Sequence, residues 1–223
     1  MTSDFDWNHY LPLYTKHYVI QHLYTTYSRK GFVHPERLAA EKAASYSAHI
    51  EHAELFYRQS AQSTASIQPV LQFYGMIHLL KAAITMKDPF HPEKSNQLAH
   101  GVSSRKIKKK HYSFLEDTVK IQKHGLYATC SEKLLNCTPR TITCDMQQLF
   151  NSLHEKHPSV YMLQAHYLIL YNLSMLARYE TEWWHICMTY KETLDYPIIK
   201  SFLTDSARQV PEEMMKFLLK GPG

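Results

Sequence analysis

The most concentrated charge in the sequence is a basic run at residues 105–110. Five of its six positions are cationic, namely Arg105, Lys106, Lys108, Lys109 and Lys110. Lysine and arginine donate charge-assisted hydrogen bonds to phosphate oxygens, and these bonds are strongest where the groups are partly desolvated. The run therefore predicts a phosphate-binding site. The alternative is a solvated surface stretch that precedes a strand.

A second candidate is Lys81, which lies in a segment that is apolar around most of a helical wheel, residues 66–86. Lys81 shares one narrow polar line of that wheel with His78 and Thr85. A buried ammonium group costs free energy unless it reaches solvent, a carboxylate or a bound anion. We expect Lys81 to approach a ligand phosphate; snorkelling to solvent or a structural partner is the alternative.

Arg178 presents the same question at the end of a second apolar segment, residues 158–178. Its guanidinium must also find an anion or a carboxylate. Glu180 or Glu182 would serve as a structural partner, and a ligand phosphate is the other interpretation. Arg178 therefore joins Lys81 as a candidate for nucleotide binding.

Two arginine–histidine pairs, Arg29 with His34 and Arg105 with His111, match the spacing of HEPN-type ribonucleases. In such enzymes the histidine can act on the RNA 2′-hydroxyl and the arginine on the phosphate. With 15 His and 25 Lys and Arg in the chain, chance matches are expected. We predict no catalytic residue and keep a ribonuclease as an alternative.

The sequence predicts neither a metal nor a cofactor. Cys130, Cys137 and Cys144 recur every seven residues, but we expect them on separate elements, where they could not share a tetrahedral ion. A glycine-rich phosphate loop is missing from the sequence. Any nucleotide site is therefore expected to be built from side chains.

Composition limits the class of protein. The chain has 223 residues, of which 44% are hydrophobic and 20% charged, and a formal net charge of +5. These values are typical of a globular protein that can have anionic partners. Residues 159–177 lack charge and approach membrane-spanning length, but the polar residues Gln164, His166 and Asn172 favour a buried helix. We expect a cytoplasmic protein without a signal peptide or membrane segment.

Hydrophobic periodicity and helix breakers predict a mainly α fold, a helical bundle around the two long apolar helices, with one small β-hairpin. Residues 118–122 and 126–130 are the expected arms of the hairpin. We predict a single domain spanning residues 1–223. The expected helices cover residues 6–28, 36–62, 66–86, 145–154, 158–178, 179–189, 196–203 and 211–220.

Four blocks in order along the chain, residues 66–82, 98–106, 121–126 and 168–180, resemble the YaaC-like family of bacterial proteins. The resemblance implies a helical, HEPN-like fold and a cytoplasmic location. It also implies a gene neighbourhood beside IMP dehydrogenase, the committed enzyme of guanine-nucleotide synthesis.

From this resemblance and the basic residues we expect a non-catalytic regulatory protein. It would bind IMP dehydrogenase and inhibit it in response to a purine nucleotide or a (p)ppGpp-type alarmone. The basic run would hold the phosphates, with Lys81 and Arg178 nearby. A homo-oligomer is compatible with the sequence. The alternatives are a HEPN-type ribonuclease and an RNA- or DNA-binding module.

Overall fold

The computed structural model describes residues 5–104, 112–138, 140–154 and 159–220, and it confirms a mainly α fold. Three short strands, β1 (Val102–Ser104), β2 (Thr118–Ile121) and β3 (Thr143–Asp145), form an antiparallel sheet in the order β1-β2-β3. The α-helices of the described residues are α1 (Lys16–Arg29), α2 (Pro35–Gln62), α3 (Gln68–Lys87), α4 (Leu126–Leu135), α5 (Met146–His154), α6 (Ser159–Tyr179), α7 (Thr181–Tyr190) and α8 (Asp195–Lys220).

Helix α3 lies at the centre of the bundle, as its apolar circumference predicts. It packs against α2, α6 and α8, and Phe73, Met76 and Leu79 are fully buried. Gly75 allows α2 to approach closely, because a Cβ atom at that position would lie 2.7 Å from the ring of Tyr57. The second apolar helix, α6, supplies the opposing core surface.

Two helix starts differ from the expected ones. The first predicted helix starts as a 3₁₀ segment, Trp7–Tyr14, which contains Pro12, and α1 starts only at Lys16. Ser66 does not cap α3, which starts at Gln68. Instead, the carbonyl of Ser66 accepts a hydrogen bond of 2.8 Å from the indole N–H of Trp184.

The last two predicted helices form one continuous helix, α8, which runs through Pro211. Proline leaves the carbonyl four residues earlier without its usual helical donor. Burial of Val210, Met214 and Leu218 along one side of α8 favours the uninterrupted helix. The carbonyl of Pro211 also accepts a 2.8 Å hydrogen bond from the hydroxyl of Tyr10.

The predicted β-hairpin is wrong in its second arm. Residues 126–130 begin helix α4, and β2 pairs instead with β1 and β3. The amides of Leu126 and Tyr127 donate to the carbonyls of Ala99 and His100, at 2.7 and 3.1 Å. These tertiary hydrogen bonds satisfy the first amides of α4, and the left-handed φ of +109° at Gly125 turns the chain away from β2.

In the described part of the chain, the helices fall short of the length and apolarity that crossing a membrane requires. The polar residues of α6 find partners inside the protein instead. Asn172, which is fully buried, donates to the carboxylate of Asp117 at 3.1 Å. Helix α6 is therefore the buried core helix that its polar residues predict.

Candidate functional site

The predicted phosphate-binding residues fall in two groups. The basic run, Arg105, Lys106, Lys108, Lys109 and Lys110, lies outside the described residues, and so does His111. Lys81 and Arg178 lie on α3 and α6, which pack against each other. The structure can therefore be compared with the prediction at these two cations.

Lys81 and Arg178 both act electrostatically on one imidazole, that of His100. The pKa of His100 is lowered by its own burial, then by the positive charge of Arg178 and by that of Lys81. Two cations that are almost one hundred residues apart in sequence therefore place a positive potential on the same half-buried ring. The sequence does not indicate this joint effect.

Backbone hydrogen bonds and a close glycine contact fix the position of His100. Its carbonyl accepts from the hydroxyl of Tyr167 at 2.8 Å as well as from the first turn of α4. Gly101, the next residue, has a φ of +78° and lies against Gly125, where an added Cβ would be 2.4 Å from the Cα of Gly101. The end of β2, the start of α4 and helix α6 thus hold the loop that carries His100.

Histidines extend the surface around Lys81 onto α2. Nδ1 of His49 lies 3.0 Å from Nδ1 of His78, so one ring donates to the other. The ring of His52 contacts His78 edge-on, with centroids 5.2 Å apart. We call this surface the cationic histidine face, and it consists of His49, His52, His78, Lys81, His100 and Arg178.

Three imidazoles of this face, those of His49, His78 and His100, have pKa values lowered by burial and by positive charge. The pKa of His49 is lowered to about 4 by burial and by the nearby charge of Lys81. Burial, His49 and Lys81 likewise lower the pKa of His78 to about 4. Among the described residues, no carboxylate lies within ion-pair distance of Lys81 or Arg178. In the described part of the chain, the two cations of this face therefore form no ion pair with a carboxylate.

The guanidinium of Arg178 is positioned by its own helix. Its Nε donates to the carbonyl of Ser174 at 3.0 Å, and its Cζ lies 5.1 Å from the centroid of the Tyr179 ring. Neither Glu180 nor Glu182, the alternative partners, forms an ion pair with Arg178 in the described part of the chain. The remaining N–H groups of Arg178 can donate to an anion.

Aromatic rings lie between the cations. Tyr74 contacts Phe56 and His100, at centroid distances of 5.8 and 6.3 Å, and Tyr171 contacts His100 at 5.8 Å. Tyr179 is two-thirds exposed beside Arg178. A surface that combines cations unpaired by the described carboxylates with the exposed ring of Tyr179 can bind both the phosphates and the base of a nucleotide.

The other kinds of site receive less support. His34 is largely exposed at the start of α2, and its Nδ1 lies 3.9 Å from Glu36. Within the residues that the structure describes, no three His, Cys, Asp or Glu side chains are arranged to hold a metal ion. Of the kinds of site considered, the described residues therefore support anion binding at the cationic histidine face best.

Acid should destabilise this protein. The pKa values of His49, His78 and His166 are each lowered to about 4, chiefly by burial. In the unfolded chain the corresponding pKa is about 6.5, so below that pH the unfolded chain binds protons that the folded chain does not. We expect the thermal midpoint to fall as the pH drops from about 6.5 to about 4.

The matched variant for this prediction carries His49→Gln and His78→Gln, which cannot take up these protons. Its thermal midpoint should fall less steeply than that of the wild type over the same pH range. Equal slopes for the two proteins would show that these two imidazoles are not the groups responsible.

Comparison with known proteins gave one match. The family model described as YaaC-like Protein matches residues 11–165 and 156–218. Searches of the curated proteins and of the solved structures found no match.

Proposed function

We propose that this chain, which belongs to the YaaC-like family, is a non-catalytic cytoplasmic regulator of guanine-nucleotide synthesis. It binds IMP dehydrogenase and inhibits it when a purine nucleotide or a (p)ppGpp-type alarmone occupies the cationic histidine face. The observation that carries the nucleotide part is that Lys81 and Arg178, on the packed helices α3 and α6, have no carboxylate ion-pair partner in the described residues and both act on the charge of His100. The gene neighbourhood implied by the family resemblance supports the choice of enzyme.

In the sequence, the basic run begins five residues after His100. We propose that a ligand with several phosphates contacts Lys81 and Arg178 with one group and the basic run with another. This proposal favours guanosine tetraphosphate or a nucleoside triphosphate over a nucleoside.

Binding should strengthen as the pH falls. A bound phosphate favours protonated imidazoles, so it raises the pKa of His49, His78 and His100 from their lowered values. The complex then holds protons that the free protein lacks, so affinity rises as the pH falls through the pKa values that these imidazoles have in the complex. Calorimetry with guanosine tetraphosphate, in two buffers of different ionisation enthalpy, measures both the affinity and the proton uptake.

The same titration separates this proposal from an RNA- or DNA-binding module. A nucleotide site gives a fixed stoichiometry and a preference between bases, whereas a nucleic-acid surface gives an affinity that falls steeply with salt over many phosphates. Failure of every purine nucleotide to bind at millimolar concentration, while single-stranded RNA binds, would contradict the proposal.

A further inference from the structure

A cavity lies at the other end of α3, away from the cationic histidine face. Its volume is about 480 Å³, and it is lined by the 3₁₀ segment, the end of α2, the start of α3 and the middle of α8. Gln68 and Gln72, which form the other polar line of α3, both face it. A cavity of this size is within the usual range of small-molecule sites.

Two buried polar atoms of the cavity wall have no partner among the described residues. The side chain of Gln72 is 1% exposed; its Nε2 donates to the carbonyl of Leu203 at 3.0 Å and to Ser60 Oγ at 3.3 Å, but its Oε1 accepts nothing. The hydroxyl of Tyr57, a residue that is 4% exposed, is also unpaired. A buried polar group without a hydrogen-bond partner costs free energy. A ligand that donates an N–H group to these atoms would remove that cost and so bind more favourably.

The cavity also contains a cation that no carboxylate pairs in the described part of the chain. Nζ of Lys200 is half-buried and lies 3.3 Å from the amide oxygen of Gln68. The two other cations of the lining, Arg58 and Arg208, are each paired with a glutamate on their own helix. Lys200 is therefore the group that would meet a ligand anion.

The spacing of these groups suits a ring joined to an anionic group. Gln68, which contacts Lys200, is one helical turn from Gln72, or about 5–6 Å along α3. Trp7 and Tyr57 add aromatic surface, with ring centroids 5.6 Å apart. The cavity thus offers an acceptor, a cation one helical turn away and an aromatic wall. This combination matches a planar base that carries N–H donors and a nearby phosphate.

We infer that this cavity binds a mononucleotide whose base presents N–H donors. The base edge donates to Oε1 of Gln72, its ring contacts Trp7 and Tyr57, and its phosphate pairs with Lys200. This site is separate from the cationic histidine face, and its existence does not depend on the function proposed for that face.

The test uses the full-length chain and three probes: guanosine 5′-monophosphate, guanosine and ribose 5-phosphate. Trp7 reports binding through its fluorescence, and Trp7→Phe identifies the part of the signal that comes from this cavity. We expect the monophosphate to bind with one-to-one stoichiometry, and each of the two fragments to bind at least about tenfold more weakly, because each lacks one of the two anchors.

Lys200→Met removes the ammonium group but keeps the length of the side chain. We expect it to lower the affinity for the monophosphate to that for guanosine, and Gln72→Met to weaken binding as well. Lys123→Met, at an exposed turn between β2 and α4, is the control and should bind as the wild type does. Absence of a Trp7 signal with the monophosphate, or unchanged affinity in a folded Lys200→Met variant, would overturn the inference.

Discussion

Replacing Lys81 and Arg178 together by methionine is expected to reduce the affinity for guanosine tetraphosphate by at least about a hundredfold. Each cation supplies a charge-assisted hydrogen bond of about 1.5–3 kcal/mol, and about 1.4 kcal/mol corresponds to tenfold. Methionine keeps an unbranched apolar stem, so the packing of α3 against α2 and α6 should survive. Calorimetry on the double variant and on both single variants measures the loss.

The matched control for the double variant is Lys16→Met with Lys123→Met, at exposed positions at the start of α1 and in the turn between β2 and α4. It also removes two positive charges from the protein but leaves the cationic histidine face unchanged. The control should bind as the wild type does, which would show that net charge alone does not explain the effect. Wild-type affinity in a folded Lys81→Met, Arg178→Met protein would remove both residues from the site.

Gly125→Ala is expected to destabilise the fold by about 2–5 kcal/mol. The φ of +109° at Gly125 disfavours any L side chain, and the new Cβ would lie 2.4 Å from the Cα of Gly101 and 2.8 Å from the carbonyl oxygen of Ala99. These neighbours are backbone atoms, which cannot rotate away as a side chain could. Left-handed strain alone costs about 1–2 kcal/mol, and the overlap adds about 1–3 kcal/mol or more.

Gly31→Ala is the matched control, because Gly31 also has a positive φ, +73°, but no atom lies within 4 Å of the added Cβ. Equilibrium unfolding in urea should show a clearly larger loss for Gly125→Ala than for Gly31→Ala. At urea concentrations at which the Gly125→Ala variant is still folded, it should also bind guanosine tetraphosphate more weakly. The reason is that the backbone contacts that position His100 are disturbed. Equal losses of stability would show that the approach of the two glycines does not constrain the fold.

The elements that were predicted well are those in which local pattern and burial agree. Helices α2 and α3 have long apolar stripes, and the structure buries them where the periodicity requires. The strand alternation of residues 126–130 was misleading, because the amides of α4 are satisfied by carbonyls at 99 and 100, contacts that no local pattern encodes. Pro211 was read as a helix boundary, yet tertiary packing keeps α8 continuous.

The candidate site could be predicted only in part for the same reason. A cation on an apolar helix can be recognised from sequence, so Lys81 and Arg178 could be named separately. Their joint effect on His100 depends on how α3 packs against α6 and on the glycine contact, which only the fold determines. His49 and His52 were missed as site residues. The sequence did contain a signal for His49. This residue lies on the inner stripe of α2, which faces α3 and its residue His78.

The most direct test of the central claim is the steady-state rate of IMP dehydrogenase, measured with this protein in the presence and absence of guanosine tetraphosphate. We expect wild-type protein together with the alarmone to lower the rate, whereas the protein alone or the alarmone alone at the same concentration should not. The Lys81→Met, Arg178→Met variant should have lost the effect. A rate that is unchanged by wild-type protein with saturating alarmone, or inhibition that persists in full with the double variant, would contradict it.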